Sequence, residues 1–531
     1  MIRTSILLAT LCATSVAAAQ SRHLRGACGT GPADLDVLRA NVAAAKARSL
    51  SARTADVHYV PVRFKLFGRS DSSGVVPVNN LLDLLEAVNA DFAPLGIQFF
   101  LRDDGTGGAP WDVFYDDELY LNSSDQTETL ARIRASDAIT VYVPDDATPP
   151  GSDGLGVTLG YYSGRASGDY LVFKRSEISD NASTASHEFG HYFGLPHTFN
   201  GWECTSWEGE ATTDEINPVV SPVDTAFTPC TRGNRNVELV TRGDGANCEE
   251  AGDLFCDTPA DYNFGFSYAG CDYVGSVVDA NGDTLDPDES NFMGYFLGCH
   301  PYRFSEGQSA AIRADLVSSG RSSLRAGPGP ASIDSVAGEV RFLAPARDSA
   351  TSPFGDILEL EWEPVAGAQY YLAQISTRAE FTRGVQEVVI PASQTSYVFA
   401  GIRPNRAYYY RVRPFGQVET GRVPSRRLVT TGDRLSGVGE PGPEAAASMT
   451  LFPNPAVVGG GVSLRLAGAA PGDAVATVRD LTGRVRARER LSVSAVSGSF
   501  ALPSTRELPP GSYVLTLANE RGASSRRFVV E

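Results

Sequence analysis

Histidine is scarce in this chain, six residues among 531, and methionine scarcer still, with three. A function that needs either residue must gather them, so position matters more than number. Basic residues are outnumbered too, 45 Lys and Arg against 63 Asp and Glu, for a formal net charge of −18. That balance argues against a nucleic-acid binder, which needs a basic face. It favours solubility and says little about fold. Beyond the N-terminus there is no run of about 20 apolar residues, so no membrane span is expected. Cysteine is missing from 29–203 and from 300–531, so disulfides do not frame those regions.

What is present is an ordinary globular composition, 42% hydrophobic and 20% charged. The length suits roughly three or four domains. At the N-terminus, Arg3 precedes an apolar run from Ile6 to Ala13, and Ala17 and Ala19 form an A-x-A cleavage signal. Residues 1–19 therefore read as a secretory signal peptide, and export permits disulfides. Cys12 leaves with the signal. Seven cysteines remain, an odd count that leaves one thiol over. Six lie between Cys204 and Cys299, which makes Cys28 the expected odd one.

Residues 20–55 are Ala- and Arg-rich, with too little apolar surface for a core, and read as a pro-segment. From His58 the pattern changes. VHYVPVRFKLFG reads as a strand. Val78, Leu81, Leu82, Leu85, Val88 and Phe92 recur at helical spacing, and Gly96 ends that helix. IQFFL, AITVYV and YLVF are further short strands. Residues 56–325 are thus an α/β (α+β) domain with a mixed sheet. Within it, 201–290 is irregular, rich in Gly, Asp, Pro and Cys. A linker over 326–337 leads to 338–432, where DILELEWEPV and AYYYRVRPFG alternate as in an all-β sandwich. A second linker, 433–448, leads to short strands with glycine turns over 449–531. The expected fold class is a multidomain chain, one α/β domain followed by two all-β sandwiches.

The scarce histidines are gathered in HEFGHYFGLPH, from His187 to His197. His187 and His191 are four apart, so on a helix they share a face and can reach one tetrahedral zinc. Glu188 points off that axis and is placed to hold an attacking water. Gly194 lets the chain leave the helix sharply, because glycine tolerates positive φ, and His197 returns as third ligand. Three protein ligands leave a fourth position open, the catalytic rather than the structural arrangement.

H-E-x-x-H-x-x-G-x-x-H is the metzincin signature. One of the two methionines left after the signal, Met293, sits in SNFMGYFLGCHPYRFSEGQ, which resembles the Met-turn and following helix start of the pappalysin family. HTF (His197–Phe199) and GDLFCDTP (Gly252–Pro259) resemble pappalysin segments as well, and the resemblance covers roughly residues 57–320. It implies a zinc endopeptidase whose active-site helix divides two subdomains. His187, His191 and His197 map onto the zinc ligands, Glu188 onto the general base, Tyr295 onto the oxyanion-stabilising tyrosine and Met293 onto the floor beneath the ligands. Cys271 and Cys299 match a family disulfide; Cys204, Cys230, Cys248 and Cys256 are left to pair among themselves in an open connectivity. Asp253, Asp257 and Thr258 resemble a calcium-binding loop, with oxygen ligands of the kind calcium prefers; turn chemistry suits them equally. Asp279–Ser290 is another oxygen-rich run. One departure concerns specificity. Where some members place an aspartate that favours Arg or Lys after the cut, this chain has Gly298.

Cys28 lies in LRGACGT, similar to the R-x-C-G-T-like pro-segments of pappalysin precursors. The resemblance implies that its thiolate, a soft zinc ligand, closes the open position in a latent zymogen; a thiol with no such role stays open. Arg48 and Arg53 are candidate activation sites. Residues 338–432, with Trp362 and Tyr408–Tyr410, resemble a fibronectin type III module. Residues 449–531 resemble the C-terminal sorting domain of the type IX secretion system, with LFPNP, DLTGR and GSYVLTL…RRFVV in order. That implies a Gram-negative exporter, periplasmic transit, contact with the type IX machinery, and a secreted or cell-surface location. The implied partners are protein or peptide substrates. The rival reading is an extracellular binding protein built on an inactive protease scaffold.

Overall fold

The computed structural model describes residues 26–28, 38, 40–44, 57–200, 238–433 and 448–531, with short breaks at 72, 104–108, 150–156, 165–167, 242–246, 267–269, 276, 280, 353, 383, 455, 468–471, 481–483, 494–496 and 520–521. The signal peptide, Arg48, Arg53, Cys204 and Cys230 lie outside the described residues.

A seven-stranded mixed sheet organises the first domain. Its strands are β1 (Gly26–Cys28), β2 (His58–Gly68), β3 (Ile97–Leu101), β4 (Asp112–Tyr115), β5 (Ile139–Val143), β6 (Val157–Ser163) and β7 (Tyr170–Phe173). They run in the order β1-β6-β7-β5-β2-β3, with β4 also on β2. β2 is buried from Val60 to Gly68, as expected of a central strand covered on both faces. It pairs in parallel with β3, β4 and β5. β6 runs antiparallel to β7, and β1 lies parallel on its outer side.

The amphipathic helix predicted from apolar spacing spans Val78–Phe92, with Leu81, Leu82, Leu85 and Val88 buried. A 3-10 turn, Ala93–Leu95, follows, and Gly96 closes it at φ 70°, a left-handed stop that glycine takes without a Cβ clash. The Asn89 side chain bonds both backbone groups of Phe99 and locks this helix to β3. Phe92, Phe99, Phe189 and Phe193 form an aromatic layer between this helix, β3 and the histidine-bearing helix, Ser183–Tyr192.

Leu38 and Val42 are buried and belong to the main core. A short helical stretch needs no core of its own when another domain supplies the groove.

The described part of 238–304 carries isolated bridges and one 3-10 turn. Its disulfides are Cys248–Cys256 and Cys271–Cys299. A three-stranded and a five-stranded sheet then face each other across Trp362, Tyr371 and Tyr410. This sandwich is docked on the first domain. Tyr370, Leu372 and Phe415 belong to the first domain's core, and Arg413 reaches Asp83 at 2.6 Å and Asn79 Oδ1 at 2.9 Å. Residues 448–531 form a further three- and four-stranded pair of sheets with a separate core.

Candidate metal centre and substrate cleft

The helix Ser183–Tyr192 delivers His187 and His191 one turn apart on its buried face. The helix stops at Phe193, and Gly194 takes φ 92°. The Leu195 amide returns to the Gly190 carbonyl at 3.0 Å. This exit brings His197 back, and all three imidazoles contribute nitrogens within 4.8 Å of one another. It is the only such group of three His, Cys, Asp or Glu residues among the described residues.

The ring nitrogens report what the centre can hold. His187 Nδ1 donates to the Phe292 carbonyl at 2.6 Å and His191 Nδ1 to the Leu195 carbonyl at 2.7 Å. A carbonyl only accepts, so each ring keeps its Nε2 lone pair, the orientation that metal-binding histidines adopt. His191 Nε2 faces His197 Nε2 at 3.1 Å, and the buried His187 Nε2 has no hydrogen-bond partner among the described residues. Burial pushes His187 down to about 4, and His191 and His197 well below the usual imidazole range. Neutral rings whose nitrogens converge can hold a cation, and the all-nitrogen set suits zinc.

Glu188 is fully buried. Its carboxylate lies against Gly160 of β6, where a Cβ would stand 3.1 Å from Glu188 Cγ and 3.3 Å from Oε1. Tyr295 packs on the other side, its ring centroid 5.2 Å from that of His197 and 5.9 Å from that of His187. Met293 is fully buried beneath the helix, and the Thr198 amide donates to its carbonyl at 3.2 Å. The backbone of Cys28 registers opposite Gly160.

Several supporting residues escaped the sequence reading. A Cβ at Gly190 would come within 2.5 Å of Met293 Sδ, so this glycine gives the methionine its seat; a glycine between two histidines inside a helix was the available signal. Asn291 Oδ1 accepts the Met293 amide, and Asn291 Nδ2 donates to Gln308. Ser186 donates to Asp91 at 2.6 Å, tying the two helices. Asp261, which burial raises to about 6, accepts from Thr198 at 2.8 Å, next to His197. These pairs join residues far apart in sequence and left no local pattern.

The three residues of the calcium-like segment separate into two roles. Thr258 Oγ1 lies 2.9 Å from both Asp253 oxygens. Asp257 instead accepts from Ser305 Oγ at 3.0 Å and Gly307 N at 2.6 Å, at the start of helix Glu306–Leu316. The carboxylate of Glu238, 2% exposed, packs against Gly252 beside Asp253. In Asp279–Ser290, Asp279 Oδ1 accepts the amides of Asn281 and Asp283, which is turn chemistry.

Beside His187 and Glu188 lies a small open cleft of about 50 Å³.

A mixed α/β domain with three converging imidazoles, a buried glutamate and an adjoining cleft has the makings of a metal-dependent hydrolase. The family model for peptidase M43, described as pregnancy-associated plasma protein-A, matches residues 164–238. That stretch contains all three histidines and Glu188, and the match supports a metallopeptidase acting on proteins. No curated protein matches the chain. Among solved structures, the FN1–FN3 domains of chicken CNTN1 match at 12% identity over 36% of this chain, with a TM-score of 0.15. The alignment spans 66% of that chain's length. At that score the likeness carries no argument.

Among the described residues no helix is long and apolar enough to cross a membrane.

Proposed function

We propose that this protein is a secreted, zinc-dependent metalloendopeptidase of pappalysin-like metzincin type, made as a latent precursor. The observation that carries this is the convergence of His187, His191 and His197 beside the buried Glu188. When bound, zinc supplies a Lewis acid that polarises the scissile carbonyl and lowers the pKa of water. Glu188 takes the proton of the attacking water and returns it to the leaving nitrogen. Tyr295 stands beside the histidines to stabilise the oxyanion through its hydroxyl. The phenyl ring of Phe199, stacked on His197 at 4.5 Å, holds the third ligand's plane.

In the precursor, β1 lies on β6 as an added strand, and Cys28 is the residue that closes the centre. The register opposite Gly160, against Glu188, supports this reading. A calcium ion at Asp253 and Thr258, with Glu238 as a further oxygen donor, is a second proposal; calcium should then raise the thermal midpoint of the wild type but not of Asp253→Ala. Residues 449–531 direct export through the type IX machinery to the cell surface or beyond, so deleting them should strand the chain in the periplasm.

The deciding experiment follows casein hydrolysis by the full chain after a limited cut within residues 45–56. Glu188→Ala should lower the rate at least about a hundredfold. A chelator should abolish it, and zinc should restore it. If the cut wild type works no faster than Glu188→Ala, the protease reading fails, and a binding protein on an inactive scaffold takes its place.

A further inference from the structure

Resting on the protease reading, we infer that the cleft beside Glu188 is an apolar specificity subsite that selects cleavage on the amino side of a large hydrophobic residue, not of Lys or Arg. Its position follows from proton traffic. Glu188 must reach both the attacking water and the leaving nitrogen. The side chain on the residue that owns that nitrogen therefore sits on the Glu188 side of the bond, where the cleft opens.

Its chemistry follows from its walls. Leu159 of β6 lines it together with Phe292, Phe296 and Leu297. Tyr302 also lines the cleft, but its hydroxyl donates to the Phe296 carbonyl at 2.7 Å, so the polar tip is spent on backbone and the ring is what remains. Among the described lining residues, Glu188 is the only Asp, Glu, Lys or Arg. The Thr184 hydroxyl donates to Glu177 at 3.0 Å, and that half-buried carboxylate is not among the lining residues. A lysine or arginine entering here would lose hydration with no acid to meet it but Glu188, which the reaction itself uses. An aliphatic or aromatic side chain would be covered on several faces. Leu297, 50% exposed, is an apolar rim that such a side chain would cover.

The test profiles a peptide library with the full chain, cut within residues 45–56 by limited trypsin that is then inhibited. The expected result is that Leu, Phe or Met follows the cut with kcat/KM at least about tenfold above Lys or Arg. Leu297→Asp, at a half-exposed rim, should shift that ratio towards Lys and Arg by a similar factor and leave the thermal midpoint unchanged. A wild-type preference for Lys or Arg, no preference at that position, or a ratio unmoved by Leu297→Asp overturns the inference. Cleavage no faster than by Glu188→Ala sinks the protease reading instead. In that event binding decides the subsite: fluorescent peptides beginning with Leu must bind the cut chain more tightly than the same peptides beginning with Lys, and equal binding rejects it.

Discussion

Gly190 shows how much of the centre rests on a missing side chain. Met293 Sδ fills the space where its Cβ would be, and Met293 has no exposure through which to withdraw. Gly190→Ala should therefore strain the floor beneath His187 and His191, at a cost of about 1–3 kcal/mol for overpacking. Adding Met293→Ala reopens the space. The double variant should be less destabilised than the sum of the single changes, since the two residues touch. Thermal or denaturant unfolding of the four proteins measures this; simple additivity would show that the contact is not the constraint. The same reasoning gives Gly194 a different role. Its φ of 92° is the turn that returns His197, so it serves backbone direction rather than space.

At the scale of elements, β1 on β6 and the helical residues 40–44 hold the N-terminal segment against the active-site helix from two sides. A Cβ at Gly194 would meet Asn41 Cβ at 2.9 Å, and Val42 is 1% exposed in the main core. Latency is thus expected to have two parts, a seat supplied by Leu38 and Val42 and a plug supplied by Cys28. Cys28→Ala in the uncut chain should raise basal peptide hydrolysis well above wild type while the segment stays seated, as read by hydrogen exchange of β6. Equal latency in the two proteins would remove Cys28 from the mechanism. The helix Glu306–Leu316 has a complementary task. Its capping box joins Ser305 and Gln308, and Gln308 carries the support on to Asn291 and the turn that bears Met293.

Taken whole, the molecule packs its first sandwich against its first domain. The sandwich after residue 338 keeps its own core but adds Tyr370, Leu372 and Phe415 to the first domain's, and Arg413, with 1% side-chain exposure, is a polar anchor between them. Glu387 of the same sandwich accepts the Val78 amide at 3.0 Å, at the start of the helix that carries Asp83. The first domain and this sandwich should unfold in one calorimetric transition. Arg413→Ala should destabilise that transition by about 3 kcal/mol, the low end for breaking a buried pair, because Asp83 keeps 23% exposure and some water. Residues 448–531 have their own core, so removing them should leave the same transition in place. A shift of several degrees on that deletion would contradict the division.

The sequence by itself determined the parts whose physics is local. The spacing of His187, His191 and His197, with Gly194 before the last, dictates a helix face and a sharp exit, and the apolar period of Val78–Phe92 dictates a helix. The alternation in DILELEWEPV and AYYYRVRPFG likewise dictates strands. Only the tertiary structure decided what depends on approach between distant segments. It set Met293 beneath Gly190 and tied Asp91 to Ser186. It turned Asp257 to the start of a helix, away from Asp253. It folded Leu38 and Val42 into a core that their own segment lacks, and it joined Arg413 to Asp83 across more than 300 residues. Periodicity records which face of an element is buried, but the partner that buries it is chosen by packing, and packing leaves no period in the chain.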